Sequence, residues 1–433
     1  MILKYLNGNK NNFISKLELI LDKRKLVQKN KSGTVKPIIK DVRKKGDKAL
    51  IKYEKRFSKI KTKKTTLQFS NKEIEKIIKK IDSNLIRSID IAYKRLKKFH
   101  NLQKILPFKF KDNYKNELSY VFSPIDQVGV YVPGGSASYP STVLMNCIPA
   151  IVAGVKNIFL TTPALDGNLN PAVAYAAKKC GVKAIYKVGG AHSIAAFAYG
   201  TQTIKKVDKI VGPGNAFVAA AKKEVYGDVG IDMVAGPSEV TILADKNANP
   251  DWIASDLIAQ AEHDEYAQSI LITNNYKFIK KVNISIEKQL KDLPKKTIAS
   301  KSLKNYGLAI YTKSMNQIID IINSIAPEHL ELCVKDYKKI TKNVKNAGSL
   351  FLGNYSPEAM GDYLAGPNHV LPTSGSAKFS SGLSVNDFLK RHSLIKITKR
   401  GIERLGSSVI NLALHENLEG HANSIKVRLK KEN

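Results

Sequence analysis

The pattern of apolar and polar positions changes abruptly near Val121. Before this point the chain is polar and poor in glycine, with apolar residues at helical spacing such as Ile74, Ile77 and Ile81. After it, short β-branched apolar runs alternate with amphipathic stretches and are separated by glycine and proline. This alternation predicts an α/β fold with parallel strands covered by helices on both faces.

The apolar runs place the predicted strands at 128–132, 157–161, 184–188, 209–211, 240–243, 270–273, 308–311 and 350–352. Helices are predicted between them, for example over 141–152, with a possible kink at Pro149, and over 171–179. So many units exceed one ordinary sheet, and we therefore expect two sheets. Because ligands bind beyond the carboxyl ends of such strands, the glycine-rich loops 133–135, 189–190 and 212–214 are candidate binding loops. From about Ser381 onward the pattern predicts mainly helix.

Composition narrows the class of protein. The 433 residues carry a formal net charge of +34, but only nine of the 71 basic residues are arginine, the residue that best reads bases and grips phosphate. We therefore expect a solvated lysine-rich surface and no nucleic-acid partner. A mean hydropathy of -0.23 and the lack of a long apolar run predict no membrane span. The start does not resemble a signal peptide, and three cysteines without a CxxC pattern suit the reducing cytoplasm.

Several polar residues could carry chemistry. Gln260 and His263 lie three apart at the end of a predicted helix and could be metal ligands, with two more needed from elsewhere. A predicted loop around Asp362 and His369, and the segment 414–421, offer candidates, but spacing alone leaves the choice among them open.

An adjacent acid and imidazole, Glu328 and His329, follow Pro327. A helix beginning at this proline would put both in its first turn, where the dipole favours the carboxylate and a neutral imidazole suited to act as a base. An exposed pair at a helix start is the equally plausible structural alternative.

The dinucleotide fingerprint GxGxxG is incomplete. In the segment 212–217 the first two glycines are present, but Phe217 stands where the third belongs. Tight turns alone could explain such loops, although bare backbone N–H groups before a helix also suit a phosphate.

Taken together, these motifs resemble the histidinol dehydrogenase family. They occur in that family's order across most of the chain: 130–135 (VYVPGG), 188–191 (VGGA), 211–215 (VGPGN), 231–239 (IDMVAGPSE), 260–263 (QAEH), 326–329 (APEH), 366–369 (GPNH) and 416–421. The resemblance implies oxidation of L-histidinol through L-histidinal to L-histidine, the last steps of histidine biosynthesis, with two NAD molecules and one Zn²⁺ per subunit.

The resemblance also implies residue roles. Glu328 and His329 would be catalytic, with His329 as the general base and Glu328 activating water. The implied zinc ligands are Gln260, His263, Asp362 and His421. These four residues would also bind the substrate, together with Ser238, His329, His369 and Glu416. NAD would contact Tyr131, His192 and Asn215, although His192 stands where the family typically has glutamine.

The fold implied by the resemblance has two incomplete Rossmann-like parallel-sheet domains, one inserted in the other, with helical N- and C-terminal extensions. The corresponding ranges are an N-terminal helical extension (1–25), a metal and substrate domain (26–127 and 238–380), an inserted NAD domain (128–237) and a C-terminal helical dimerisation segment (381–433). A homodimer is implied, in which Glu416 and His421 reach the neighbouring subunit's site.

Two other readings remain at this point. A related zinc- and NAD-dependent alcohol dehydrogenase on the same scaffold could act on a different substrate, because function belongs to the site and not to the fold. A lysine-rich nucleic-acid-binding protein without catalysis is the alternative from another class.

Overall fold

The computed structural model describes residues 2–10, 12–29, 31–58, 66–134, 139–164 and 167–430, with the backbone alone for 25–29. Two compact units are present: residues 1–103 with 126–387, and residues 104–125 with 388–433.

The first unit contains most of the helices and strands. Its strands are β1 (Lys4–Asn7), β4 (Gln127–Tyr131), β5 (Asn157–Thr161), β6 (Ala184–Tyr186), β7 (Lys209–Val211), β8 (Gly230–Ile231), β9 (Glu239–Ala244), β10 (Gln268–Thr273), β11 (Leu308–Tyr311), β12 (His329–Cys333) and β13 (Ser349–Leu352). Its helices are α1 (Phe13–Lys29), α2 (Ser32–Lys45), α3 (Asp47–Phe57), α4 (Asn71–Ile78), α5 (Ser83–Asn101), α6 (Pro140–Ala153), α7 (Pro171–Lys179), α8 (Gly190–Tyr199), α9 (Ala216–Val225), α10 (Pro250–Ala261), α11 (Tyr276–Gln289), α12 (Lys296–Tyr306), α13 (Met315–Ile325), α14 (Tyr337–Thr341) and α15 (Glu358–Tyr363).

These strands form two parallel sheets, as predicted. The six-stranded sheet has the order β1-β11-β10-β9-β12-β13, and the five-stranded sheet has the order β6-β5-β4-β7-β8. All neighbouring strands in both sheets are parallel. The α/β class and the expectation of two parallel sheets are thereby confirmed.

The six-stranded sheet is buried on both faces. Along β9, Val240 and Ile242 pack into one apolar cluster, whereas Leu243 packs into another on the opposite side. Successive side chains of a strand point to opposite faces, so both faces of β9 must be covered by helices. This is why a parallel strand appears as a nearly continuous apolar run in the sequence.

Most predicted element boundaries agree with the structure to within a few residues. Asn170 accepts a hydrogen bond from the N–H of Ala172 at the start of α7. Gly154 ends α6 with a φ of 97°, in the left-handed region that glycine adopts most easily. Pro149 lies inside α6, which continues on both sides of it. Among the described residues, no helix is long and apolar enough to cross a membrane.

The second unit is a small antiparallel sheet with two helices. Its strands are β2 (Lys109–Lys111), β3 (Glu117–Pro124) and β14 (Leu389–Lys396), and its helices are α16 (Lys399–His415) and α17 (Glu419–Leu429). β14 lies where the sequence predicted mainly helix. Its eight residues pair with β3 from Leu389↔Pro124 to Lys396↔Glu117. All but the first are exposed, so the strand lacks the apolar run that would reveal it.

The N-terminal segment also differs from the expected helical extension. β1 pairs with β11 as an edge strand of the six-stranded sheet, and α1 follows it. The predicted domain boundaries themselves stay predictions.

Candidate active site

Residues predicted for the metal and substrate site lie at the amino ends of strands in the six-stranded sheet. Ser238 directly precedes β9, and His329 is the first residue of β12. Helix α10 follows β9 and brings Gln260, in its last turn, and His263, just beyond its end, to this side. The expectation of a site at carboxyl ends therefore does not describe this sheet. A helix that runs back across a parallel sheet delivers its C-terminus to the amino ends of the strands.

Glu328 and His329 are not in a helix, and this correction changes their chemistry. Helix α13 ends at Ala326, which has a φ of 50°, and the chain then enters β12. There His329 pairs in register with Val240 on one side and Ser349 on the other. Pairing with two strands outweighs the helix-start signal at Pro327. Neither side chain is governed by a helix dipole, and both are buried.

The imidazole of His329 is held in one tautomer. Its Nδ1 lies 3.1 Å from the carbonyl oxygen of Glu239, which can only accept, so Nδ1 carries the proton. Nε2 is then the basic nitrogen, and it has no hydrogen-bond partner among the described residues. It lies 3.8 Å from Oδ1 of Asp362. Burial lowers the pKa of His329 to about 4, opposed by the Asp362 carboxylate, so the ring is neutral near pH 7.

Glu328, like His329, is hydrogen-bonded to the backbone of Glu239. Its Oε2 accepts the backbone N–H of Glu239 at 2.9 Å and lies 3.7 Å from Nδ1 of His329. Burial, together with the nearby Glu239 carboxylate, raises the pKa of Glu328 well above its usual range. A carboxylate with a raised pKa is a stronger proton acceptor, as a water-activating base requires.

Donor atoms for a metal converge beside His329. His263, Glu358 and Asp362 offer ligand atoms that all lie within 4.8 Å of one another. Asp362 is in the short helix α15 and not in the predicted loop, one helical turn after Glu358. The side-chain amide of buried Gln260 faces the Glu358 carboxylate, with contacts of 2.7 and 3.1 Å. Because carboxylate oxygens accept, we assign the amide nitrogen to these contacts, which leaves the amide oxygen unused by Glu358. Imidazole nitrogen with carboxylate and amide oxygens fits Zn²⁺.

A cavity of about 390 Å³ opens next to these groups and is lined by His329, Asp362 and His369, among others. Nδ1 of His369 lies 3.0 Å from the carbonyl oxygen of Asp362, so this nitrogen donates and Nε2 is available. Burial lowers the pKa of His369. Ser238 is half-buried immediately before Glu239. The first unit thus brings Ser238, Gln260, His263, His369 and Asp362 to the region of the Glu328–His329 pair.

Two predicted site residues belong to the second unit. Glu416 ends α16, and His421 lies in the first turn of α17. Both side chains are exposed.

The three predicted NAD residues lie at the carboxyl ends of the five-stranded sheet. Tyr131 ends β4 and is buried, and its hydroxyl accepts the backbone N–H of Gly190 at 3.3 Å. Burial raises the pKa of Tyr131 to about 12. Asn215 is exposed and caps α9 through its Oδ1, which leaves its amide nitrogen for a ligand. Of the glycine-rich loop 133–135, Gly135 lies outside the described residues.

His192 is held by a carboxylate that the sequence did not reveal. Its Nε2 lies 2.7 Å from Oε1 of Glu54, which also accepts the N–H of Gly189 at 2.9 Å. Both side chains of this pair are almost fully buried. Nδ1 of His192 is buried without a hydrogen-bond partner in the described part of the chain. The position that departs from the family pattern is therefore tied to the backbone of a glycine-rich loop.

Comparison with known proteins identifies the family of this chain. A family model described as histidinol dehydrogenase matches residues 21–429. A histidinol dehydrogenase of Pelagibacter ubique is 55% identical over 433 residues, covering 100% of both chains. One from Brucella suis is 48% identical over 417 residues, covering 96% of this chain and 97% of the relative.

The chain belongs to the histidinol dehydrogenase family. A crystal structure of histidinol dehydrogenase from Elizabethkingia anophelis superimposes with a TM-score of 0.91 at 38% identity, covering 99% of this chain and 98% of that one. The family resemblance seen in the motifs is thus confirmed, and the protein is an enzyme of the oxidoreductase class.

Besides Glu54, two acids on the metal and substrate side were not singled out from the sequence. Glu358 lies four residues before Asp362, a spacing that puts both on one face of a helix and could have drawn attention to it. Glu239 stands inside a motif quoted for the family, but nothing in its spacing shows that its backbone contacts both Glu328 and His329. That arrangement exists only because β9 and β12 are neighbours.

Proposed function

We propose that this enzyme oxidises L-histidinol through L-histidinal to L-histidine, with two NAD molecules and one Zn²⁺ per subunit. The observation that carries the proposal is the His329 ring. Its Nδ1–H is fixed on Glu239, and its unpartnered Nε2 faces Asp362 beside converging metal donors. A neutral base next to a chelating site suits an alcohol whose other groups are held by a metal.

We assign zinc binding to Gln260, His263, Asp362 and His421. When bound, Zn²⁺ would hold the amino group and imidazole of the substrate and so fix its position. Buried Glu358 contacts Gln260 and lies 3.5 Å from Nδ1 of His329, so it would orient the amide and complete the negative charge around the metal.

The protein's own groups would then perform two oxidations. Nε2 of His329 accepts the hydroxyl proton of L-histidinol while the carbinol hydride passes to the first NAD. Glu328 accepts a proton from the water that adds to the resulting aldehyde. During this addition protonated His329 returns its proton to the aldehyde oxygen, which gives the hydrate. Neutral His329 then accepts one hydroxyl proton of the hydrate as the hydride passes to the second NAD, and the resulting acid releases its remaining proton to give the carboxylate of L-histidine. Ser238, His369 and Glu416 would complete substrate binding.

For the cofactor we assign Tyr131, His192 and Asn215. These residues follow or end strands of the five-stranded sheet, where helix N-termini with free N–H groups favour phosphate. The free amide nitrogen of Asn215 and the unpartnered Nδ1 of His192 are both available as hydrogen-bonding groups.

We further propose a homodimer in the cytoplasm, in which Glu416 and His421 serve the neighbouring subunit's site. The support is an apolar surface on the second unit. Large exposed side chains there include Ile395, Leu412 and Val427, which are 70%, 65% and 58% exposed. Exposed apolar side chains in this number are typical of protein interfaces.

The test is NADH formation from L-histidinol by purified protein, before and after chelation. We expect two NADH per histidinol, loss of activity on chelation and recovery with Zn²⁺. H329N should slow both oxidations by about 10²–10⁴-fold with zinc still bound. The matched control is H392N, at exposed His392 on β14, which should not slow them.

E328Q should slow histidinal oxidation much more than the reverse reduction of histidinal. Equal losses in the two directions would contradict the water-activating role of Glu328. If metal-loaded, folded protein oxidises other amino alcohols but not L-histidinol, the proposed substrate is wrong. The proposed zinc- and NAD-dependent oxidation of an alcohol would then stand.

A further inference from the structure

We infer that Arg24, on helix α1, is a positioning residue for the Glu328–His329 pair and acts through the backbone of Glu239. The inference rests on the proposed function for the roles of Glu328 and His329. It assigns a part in the reaction to the N-terminal segment of the chain, which contributes no group to the site itself.

The backbone of Glu239 is the common support of both reacting side chains. Its N–H donates to Oε2 of Glu328 at 2.9 Å, and its carbonyl oxygen accepts the Nδ1–H of His329 at 3.1 Å. Any shift of this residue therefore moves the acid and the imidazole together. A rotation of its carbonyl group would also release the tautomer that leaves Nε2 of His329 unprotonated.

Arg24 holds this backbone in place. Its Nη2 donates to the carbonyl oxygens of Pro237 and Ser238, the latter at 2.9 Å. Its Nη1 forms an ion pair with the Glu239 carboxylate, whose other oxygen accepts the backbone N–H of Ser374 at 2.9 Å. The guanidinium therefore contacts three successive residues at the start of β9.

The remaining donors of Arg24 are also used. Nε donates to the carbonyl oxygen of Tyr266 at 2.9 Å, and Nη1 is 3.4 Å from Oε1 of Gln268. The five N–H groups of the guanidinium thus face five acceptors, and the side chain is only 3% exposed. No other residue type offers five donors in this fork geometry. Lysine, with three donors, could not supply all five acceptors, although the carbonyl oxygen of Ser238 would keep the N–H of Gln268.

A cavity of about 250 Å³ gives access to the contacts that Arg24 makes with residues 237–239. Arg24, Glu239 and Gln268 are among the residues that line it. If the Arg24 side chain is truncated, a small guanidinium compound can enter from this cavity and take the place of the missing group. Chemical rescue is therefore a practical test.

The experiment compares R24A and R24K with the wild type, and with L303A as a matched control. Leu303 is fully buried on α12 in the same unit and belongs to an apolar cluster with Leu257 and Phe278, so its truncation should destabilise the fold without removing a hydrogen bond of Arg24. We expect kcat to fall about 10²-fold in R24A and at least tenfold in R24K, with KM for histidinol and NAD within about twofold. Millimolar methylguanidine should restore much of kcat in R24A only.

A second readout does not depend on turnover. Histidine-selective ¹⁵N NMR should show the Nδ1–H tautomer of His329, assigned with H329N, in the wild type and L303A, and a mixture of tautomers in R24A. If R24A keeps wild-type kcat and loses only thermal stability, as L303A should, Arg24 is merely structural and the inference is overturned. If the wild type does not oxidise histidinol but the tautomer still depends on Arg24, the proposed function fails and the positioning role stands.

Discussion

A buried ion pair beside the glycine-rich loop 212–214 offers a sharp test of how this fold supports its candidate site. Lys222 and Asp232 have side chains that are 3% and 1% exposed and form an ion pair. Nζ of Lys222 donates to the carbonyl oxygen of Gly212 at 3.0 Å, and Asp232 accepts the N–H of Gly212 at 2.8 Å. The pair therefore fixes both polar groups of Gly212, three residues before Asn215.

The expected loss in the free energy of unfolding follows from the charged or polar groups that each variant leaves buried. K222M leaves a buried carboxylate that keeps the N–H groups of Gly212 and Met233 as donors and the weaker electrostatic attraction of Lys209. Removing one member of a buried pair costs about 3–5 kcal/mol, and these two N–H groups put the cost near the lower end. In K222M/D232N the charge is gone and an acceptor remains, so the cost should fall to about 1–2 kcal/mol.

The assay is urea unfolding followed by far-UV circular dichroism at one fixed protein concentration, with D232N completing the double-mutant cycle. The control is K301M, which breaks the exposed 2.8 Å contact between Lys301 and Glu265 and should cost less than about 1 kcal/mol. K222M should also raise KM for NAD more than KM for histidinol. Equal losses of stability in K222M and in the double variant would refute the reasoning, because the cost would then not arise from an unpaired charge.

Three further changes have defined outcomes. Burial raises the pKa of Asp256 from 3.8 to about 6, so the native state keeps a proton that the unfolded chain has lost, and stability falls as pH rises through this interval. Urea titrations at pH 4 and pH 7 should therefore show D256N gaining on the order of 1 kcal/mol relative to the wild type at the higher pH, because part of the proton uptake belongs to neighbouring Glu331, whose pKa is also raised. A pH-independent difference would contradict this. A Cβ on Gly129 would lie 2.7 Å from the Phe197 ring, so G129A should lower thermal stability by about 1–3 kcal/mol, and an unchanged melting temperature would argue against the packing. S70A removes the capping box that Ser70 forms with Glu73 and should cost about 1 kcal/mol in the same melting assay; no loss would mean that the cap is not formed in solution.

The sequence alone determined the class of fold and most of its elements. Apolar runs such as those of β5 and β10 are legible because parallel strands covered on both faces must be apolar at nearly every position. Caps at Asn170 and Gly154 are local, so they too can be predicted without the rest of the chain. The family motifs also named the candidate site residues, since chemistry requires particular side chains.

Tertiary structure decided where those side chains act. His329 begins a central strand and not a helix because β9 and β13 supply its neighbours, and only that pairing brings the Glu239 backbone to the imidazole. The strand β14 was invisible for a related reason: it is exposed, and its partner β3 lies more than 260 residues earlier in the chain.

The buried charged groups were likewise decided by the fold. Glu54, Glu358 and Arg24 are each separated by many residues from the groups they contact, and each resembles an ordinary surface residue of an amphipathic or short helix in the sequence. A charge becomes structural only when its partner removes the cost of taking it out of water. That partner is chosen by packing, and the sequence pattern of one segment carries no information about it.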